Sequence, residues 1–257
     1  MALQKLLEGK KVSINYTENK VISNIEVSKN IYKLYVSGNF NVKPGQFFMI
    51  RGWGEYPLLP RPLSVHDKDE NGVYFLYSVL GKGTELLKKL KYEDKIELLG
   101  PLGNGFDVEN IKGNVAVVSG GIGIAPMLYL TKKLTNCTVD LFAGFRDETF
   151  SIENFKEYVS NINIASESGK FGYKGYITDI FYPENYDVVL CCGPEVMMNK
   201  VIKMCREKNV PVYVSMEKHM ACGLGACLVC TCKTTNGNKR TCKDGPVFLG
   251  EEIVLDA

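Results

Sequence analysis

Between residues 12 and 100 the chain alternates apolar and polar positions in short runs. Lys20-Val-Ile-Ser-Asn-Ile-Glu-Val27, Ile31-Tyr-Lys-Leu-Tyr-Val36, Gln46-Phe-Phe-Met-Ile50, Val73-Tyr-Phe-Leu-Tyr-Ser-Val79 and Lys95-Ile-Glu-Leu-Leu99 are rich in β-branched and aromatic residues. Turn-formers separate them: Lys43-Pro-Gly45, Asp69-Glu-Asn-Gly72 and Gly100-Pro-Leu-Gly103. Short strands at this spacing predict an antiparallel β-barrel or sandwich. A single short helix is predicted inside it, over Thr84–Lys91, with Thr84 as its N-cap. After Gly113 the rhythm changes. Val115-Ala-Val-Val118 is a continuous apolar run, as in a strand covered on both faces. Helices are predicted at Met127–Leu134, Asn154–Val159 and Glu195–Lys208, and strands at Thr138–Ala143, Ile162–Ala165, Tyr186–Leu190 and Val212–Ser215. Alternating strands and helices predict a doubly wound parallel sheet. The last forty residues are Gly- and Cys-rich, then hairpin-like. The expected division is a barrel over 1–108, an α/β nucleotide-type domain over 109–215, and a Cys-rich segment with a β-hairpin over 216–257. The first 19 residues read as an extension with no assigned role.

Composition narrows the partners. Among 257 residues, Lys plus Arg number 31 and Asp plus Glu 29. Such a balance offers no electrostatic footprint for nucleic acid or an anionic membrane. There is no apolar run of membrane-spanning length and no secretory signal pattern, so a reducing cytoplasm is the expected compartment. Nine cysteines, an odd number, argue against a disulfide framework. None precedes Cys137, and five fall between Cys222 and Cys242.

That crowding points to a metal centre. Cys222, Cys227 and Cys230 form C-x4-C-x2-C, with Cys242 further on, the opening of a plant-type [2Fe–2S] spacing. Gly223 and Gly225 let the loop wrap closely and leave N–H groups free to face the sulfurs. Asn236-Gly237 signals a hairpin returning Cys242 toward Cys230 and Cys232. A two-residue loop sets Cys242 across from Thr231, a three-residue loop across from Cys232, so Cys232 stays open as an alternative ligand. Structural zinc is the rival, yet only Cys227/Cys230 forms a C-x2-C pair. Cys137, Cys191 and Cys205 read as buried thiols.

Two further motifs are nucleotide-like. Arg61-Pro62-Leu63-Ser64 enters a strand, and Gly81-Lys-Gly83-Thr84 opens the short helix. A guanidinium fork and glycine amides both suit a flavin pyrophosphate. Ser119-Gly-Gly121-Ile-Gly123-Ile-Ala-Pro126 follows a buried strand and reads G-x-G-x-x-P, not the Rossmann G-x-G-x-x-G. Cys192-Gly193-Pro194 ends a second strand at the same carboxyl edge, where ligands of doubly wound sheets bind. Cys192 there is either a nicotinamide neighbour or a buried strand-end thiol. Asp147 and Glu148 favour a free ribose hydroxyl, hence NAD over NADP. His66 and His219 read as structural, and no catalytic acid–base constellation stands out.

Together these residues resemble the ferredoxin–NADP reductase superfamily. The segments Ser215–Cys230 and Cys242-Lys-Asp-Gly-Pro-Val-Phe248 are similar to those of the electron-transfer subunits of type B dihydroorotate dehydrogenases. The resemblance implies one FAD, one [2Fe–2S] cluster and NAD as co-substrate. It implies a separate FMN-containing catalytic subunit, two of each subunit in a heterotetramer, and a place in pyrimidine biosynthesis. It further implies that Arg61, Pro62, Leu63, Ser64, Leu76, Tyr77, Ser78, Gly83 and Thr84 hold FAD, and that Cys222, Cys227, Cys230 and Cys242 ligate the cluster. The superfamily often has Tyr where Leu63 stands, so Tyr77 is the substitute considered for stacking on the flavin. The rival readings are another flavin/iron–sulfur reductase subunit, of ferredoxin:NADP or sulfide-dehydrogenase type, a stand-alone oxidase, and a zinc-stabilised nucleotide-binding regulatory module.

Overall fold

A computed structural model describes residues 14–255. Six strands, β1 (Asn15–Ser28), β2 (Ile31–Ser37), β3 (Phe47–Arg51), β4 (Arg61–Lys68), β5 (Gly72–Ser78) and β6 (Lys95–Leu102), close a barrel in the order β1-β2-β5-β4-β3-β6. All of its pairings are antiparallel. The alternation in the sequence is the physical cause. Val21, Leu34, Val36, Phe48, Ile50, Val65, Val73, Phe75 and Tyr77 point inward and fill the barrel, because successive strand side chains face opposite sides. Residues 15–19, expected within the extension, instead pair with Ile96–Gly100 and close the barrel. Residues 1–13 lie outside the described residues.

The helix α1 (Lys82–Leu87) lies between β5 and β6. Its N-cap is Gly81, not Thr84. Thr84 sits one turn in, and its hydroxyl accepts from the N–H groups of Leu80 and Gly81 at 3.0 and 3.1 Å.

The second unit is a seven-stranded sheet built from β7 (Gly113–Gly120), β8 (Cys137–Phe145), β9 (Asn161–Ser166), β10 (Tyr173–Lys174), β11 (Val188–Cys192), β12 (Val212–Ser215) and β15 (Val247–Leu249), with order β10-β9-β8-β7-β11-β12-β15. On β7, Val115 and Val117 pack into one core and Ala116 and Val118 into another. Helix α2 (Met127–Lys133) covers the first face with Met127, Leu128 and Leu130. Helix α3 (Glu195–Lys208) covers the second with Met198, Val201, Ile202 and Cys205. The sheet is parallel except for β15, which comes from the C-terminal segment and adds an antiparallel edge. Leu76, on the outer face of β5, packs into the first of these cores and so joins barrel to sheet.

The helix expected at Asn154–Val159 is a single 3-10 turn, Ile152–Phe155. Ile152 and Phe155, three apart, are both buried, and three-residue periodicity aligns them on one side. The hairpin consists of β13 (Thr231–Thr234) and β14 (Gly237–Arg240), with Thr231 opposite Arg240 and Cys232 opposite Lys239. Its loop is Thr235-Asn236, one residue earlier than expected. Gly237, at φ +93°, takes the position after the turn instead of a place within it. Cys242 therefore opposes neither Thr231 nor Cys232.

Candidate redox site

The cysteine segment is laid on the outer face of β3. Phe47 and Met49, which point away from the barrel interior, pack with Leu102, Cys230 and Cys242. The chain needs its glycines there. A Cβ on Gly223 would fall 2.7 Å from Met49 Cγ, and one on Gly225 would fall 2.7 Å from Lys243 Cδ. Both also have φ near +70 to +80°, which side chains rarely adopt.

This fold gathers Cys222, Cys227, Cys230 and Cys242. The Leu224 N–H donates to Cys222 Sγ at 3.3 Å, and the Cys242 N–H to Cys230 Sγ at 3.4 Å. Burial pushes the Cys222 thiol up, but backbone N–H groups of Cys227, Leu224 and Ala226 outweigh it and bring the thiol down to about 6. Burial, followed by the Cys230 thiol beside it, pushes Cys242 up to about 12, although the Gly225 N–H acts against that. Amides aimed at sulfur favour thiolates, the form that binds metal. Of the two expected loop donors, Gly225 thus points at a sulfur, while Gly223 serves close packing. Among the described residues, no three Cys, His, Asp or Glu side chains close on one point. The thiols stand as two pairs, Cys222 with Cys227 and Cys230 with Cys242. Two pairs of thiolates are the donor set of a two-iron centre. Cys232 is directed elsewhere, into the core behind the sheet with Val214, Phe248 and Ile253. Arg240 braces the loop by donating to the Gly225 carbonyl at 3.2 Å and to both Asp244 oxygens at 2.9 and 3.0 Å.

The flavin candidates divide by strand parity. Ser64 lies on the outer face of β4, opposite Phe47. Leu76 and Ser78 lie on the outer face of β5. Leu63 packs against the barrel core instead. Tyr77 is buried at 1% exposure, packs beside Tyr32 at 5.8 Å and donates to Asn24 Oδ1 at 3.2 Å. Its ring is part of the core, which corrects the expectation that it stacks on a flavin. At the barrel rim the Arg61 guanidinium lies so near Gly83 that a Cβ there would be 2.4 Å from Nε. Thus the two phosphate-type motifs are brought together. Beside them Gly81 faces open space, and Tyr56, Leu58 and Leu80 are exposed. An apolar lip next to a guanidinium fits a flavin nucleotide.

The two nucleotide turns also meet. A Cβ on Gly123 would lie 2.5 Å from the Cys192 carbonyl oxygen and from Gly193 Cα, and one on Gly120 would lie 2.8 Å from Pro194. Gly121 has φ +53° and open space beside it, as a turn approached by a pyrophosphate requires. Pro126 ends the turn and caps α2. The adjacent Ser119 hydroxyl is buried without a hydrogen-bond partner. Cys192 is at 1% exposure within the core, and burial holds its thiol well above the ordinary range. Its side chain is packed into the core, and its carbonyl borders the Gly123 turn. Glu148 pairs with Lys170 at 3.4 Å on the surface beyond β8.

Sequence reasoning missed the cluster's platform. The signal was there: Phe47-Phe-Met-Ile50 is apolar without alternation, as a strand covered on both faces would be.

Comparison with known proteins agrees with this geometry. Residues 217–254 match the iron–sulfur cluster binding domain of dihydroorotate dehydrogenase B. The electron transfer subunit of dihydroorotate dehydrogenase B (NAD(+)) from Clostridium acetobutylicum is 58% identical over 94% of this chain and 98% of its own length. That of Clostridium perfringens is 50% identical over 94% and 99%. Among solved structures, one of an NADH-dependent reduced ferredoxin-NADP oxidoreductase superposes with a TM-score of 0.83 at 29% identity, over 92% of this chain and 89% of that one. A ferredoxin reductase of carbazole 1,9a-dioxygenase, at 19% identity and a TM-score of 0.68, shares the fold. With relatives this close over nearly the whole chain, and four thiols gathered on a flavin-type barrel, the chain belongs to the family of dihydroorotate dehydrogenase B (NAD+) electron transfer subunits.

Proposed function

We propose that this chain carries reducing equivalents from dihydroorotate, oxidised on the FMN of a catalytic partner subunit, to NAD+, in an assembly with two copies of each subunit. Its cofactors are FAD and a [2Fe–2S] cluster. The cluster exchanges single electrons and the flavin both single electrons and pairs, which is what joins a one-electron path to a hydride carrier.

The observation that carries the reading is the placement of both candidate sites on neighbouring strands. Phe47, which supports Cys230 and Cys242, is the cross-strand partner of Ser64, roughly 5 Å away between Cα atoms. Cys222, Cys227, Cys230 and Cys242 would ligate the cluster, with the amides of Leu224 and Cys242 holding their sulfurs in place. Arg61, Gly83 and Thr84 would bind the flavin phosphates. Pro62, Ser64, Leu76 and Ser78 would line its ring with side chains, and Leu63 and Tyr77 with backbone. Gly121, Gly123, Pro126, Gly193 and Pro194 would seat the dinucleotide, with Cys192 contributing backbone. Leu224, Leu228 and Val229 form an exposed apolar crown on the cluster loop, which suits docking of the catalytic partner over the thiols. Among the described residues no helix is long and apolar enough to cross a membrane, and all nine cysteines are free. A reducing cytoplasm fits those free thiols.

The test is Cys222→Ser in the assembled enzyme. Iron content should fall and dihydroorotate-dependent NAD+ reduction should be lost, while NADH-to-dye activity persists at the flavin. Full dihydroorotate:NAD+ activity in that variant would refute the route.

A further inference from the structure

We propose that His66 is a positioning residue that fastens the flavin strand β4 to the nucleotide turn Gly121–Pro126, holding the turn where a dinucleotide must lie across the flavin. This rests on the reading that the turn takes NAD.

His66 follows Ser64 on the outer face of β4 and is buried. Its Nδ1 lies 2.7 Å from the carbonyl oxygen of Ala125, within the turn. A carbonyl only accepts, so Nδ1 carries the proton and Nε2 is left as an acceptor. Ser151 Oγ lies 3.3 Å from Nε2 and donates to it, while Asn154 Nδ2 donates to Ser151 Oγ at 3.4 Å. The bonds run in one direction, from Asn154 through Ser151 and the imidazole to the turn. Ser151 holds a left-handed backbone at φ +62°, an unfavourable conformation for a serine, and in it the hydroxyl reaches the imidazole. Any buried imidazole needs its nitrogens paired, but one that merely filled the core would not need a backbone-strained partner to pair them. Other ties between barrel and sheet, Lys132 to Asp67 at 2.6 Å and the Tyr129 hydroxyl to the Val42 carbonyl at 3.2 Å, hold α2 behind the turn. The His66 bond reaches the turn itself.

The experiment uses the FAD- and cluster-loaded chain with its partner. NAD+ binding is measured by calorimetry, which needs no turnover, and hydrogen exchange is followed at the amides of residues 121–125. His66→Phe keeps a ring of similar size without the bonds. It should weaken NAD+ binding about five- to tenfold and speed exchange in the turn, with FAD and iron content unchanged. His66→Asn can set an amide nitrogen where Nδ1 stood and should restore binding to within about twofold. Ser151→Gly relieves the backbone and removes the hydroxymethyl group that reaches the imidazole. It should be no less stable than wild type, yet bind NAD+ about two- to threefold more weakly. Wild-type affinity in His66→Phe, or a loss that tracks FAD content alone, would overturn the proposal. Should wild type itself fail to bind NAD+, the dinucleotide reading of the turn falls first and the role of His66 with it.

Discussion

Cys230 and Cys232 are two residues apart, yet they enter different cores. Cys230 meets Met49 and Cys242 on the barrel's outer face, while Cys232 meets Phe248 and Ile253 behind the sheet. The chain bends between them as it leaves the loop and enters β13. Spacing in the sequence favours Cys230 as a ligand but leaves Cys232 open, and the core that each enters separates the two. Cys230→Ser should therefore lose iron. Cys232→Ser should keep iron and lose about 1–2 kcal/mol of stability, the cost of a hydroxyl in an apolar site. Iron analysis with thermal melts of both variants checks this, and the reverse pattern would exchange their roles.

At the level of elements, the site is made by turns pressed against one another. Gly123 touches the Cys192–Gly193 turn with no room for a methyl group. Gly123→Ala should drive the β7–α2 and β11–α3 turns apart at a cost of about 1–3 kcal/mol. It should weaken NAD+ binding about tenfold while the cluster absorbance stays. Titration calorimetry beside an absorption spectrum would show it, and unchanged affinity would mean that the close packing of the turns is incidental. These turns were legible from G-x-G-x-x-P and Cys-Gly-Pro because each follows an apolar strand. The hairpin register was not. Asn-Gly serves at more than one position of a turn, and a shift of one residue moves every facing pair.

For the whole molecule, the buried seam between barrel and sheet makes stability depend on pH. Burial holds the His66 imidazole down to about 4, against the bond to Ala125 and the nearby Asp67, which act to raise it. In the unfolded chain it would titrate near 6.5. The unfolded state thus binds a proton that the folded state refuses, so this contribution is whole above pH 6.5 and is lost as pH falls toward 4. Between pH 7.5 and 5 the loss should be about 2 kcal/mol. Melting the wild type and His66→Asn at both values tests it. The wild type should lose more stability on acidification than the variant, and equal losses would remove His66 from the account.

Sequence alone determined the barrel, the doubly wound sheet and the cysteine loop, because alternation, continuous apolar runs and ligand spacing are local patterns that each act through near neighbours. It also marked Arg61, Gly83, Gly121 and Gly123 as candidates for phosphate-type turns. Only the tertiary structure decided that Tyr77 and Cys192 turn inward, that β15 leaves the cysteine segment to edge the sheet, that β3 carries the cluster loop on its back, and that His66 spans two units. Each of these depends on which surfaces meet across long stretches of chain, and burial at such a meeting is set by both partners at once.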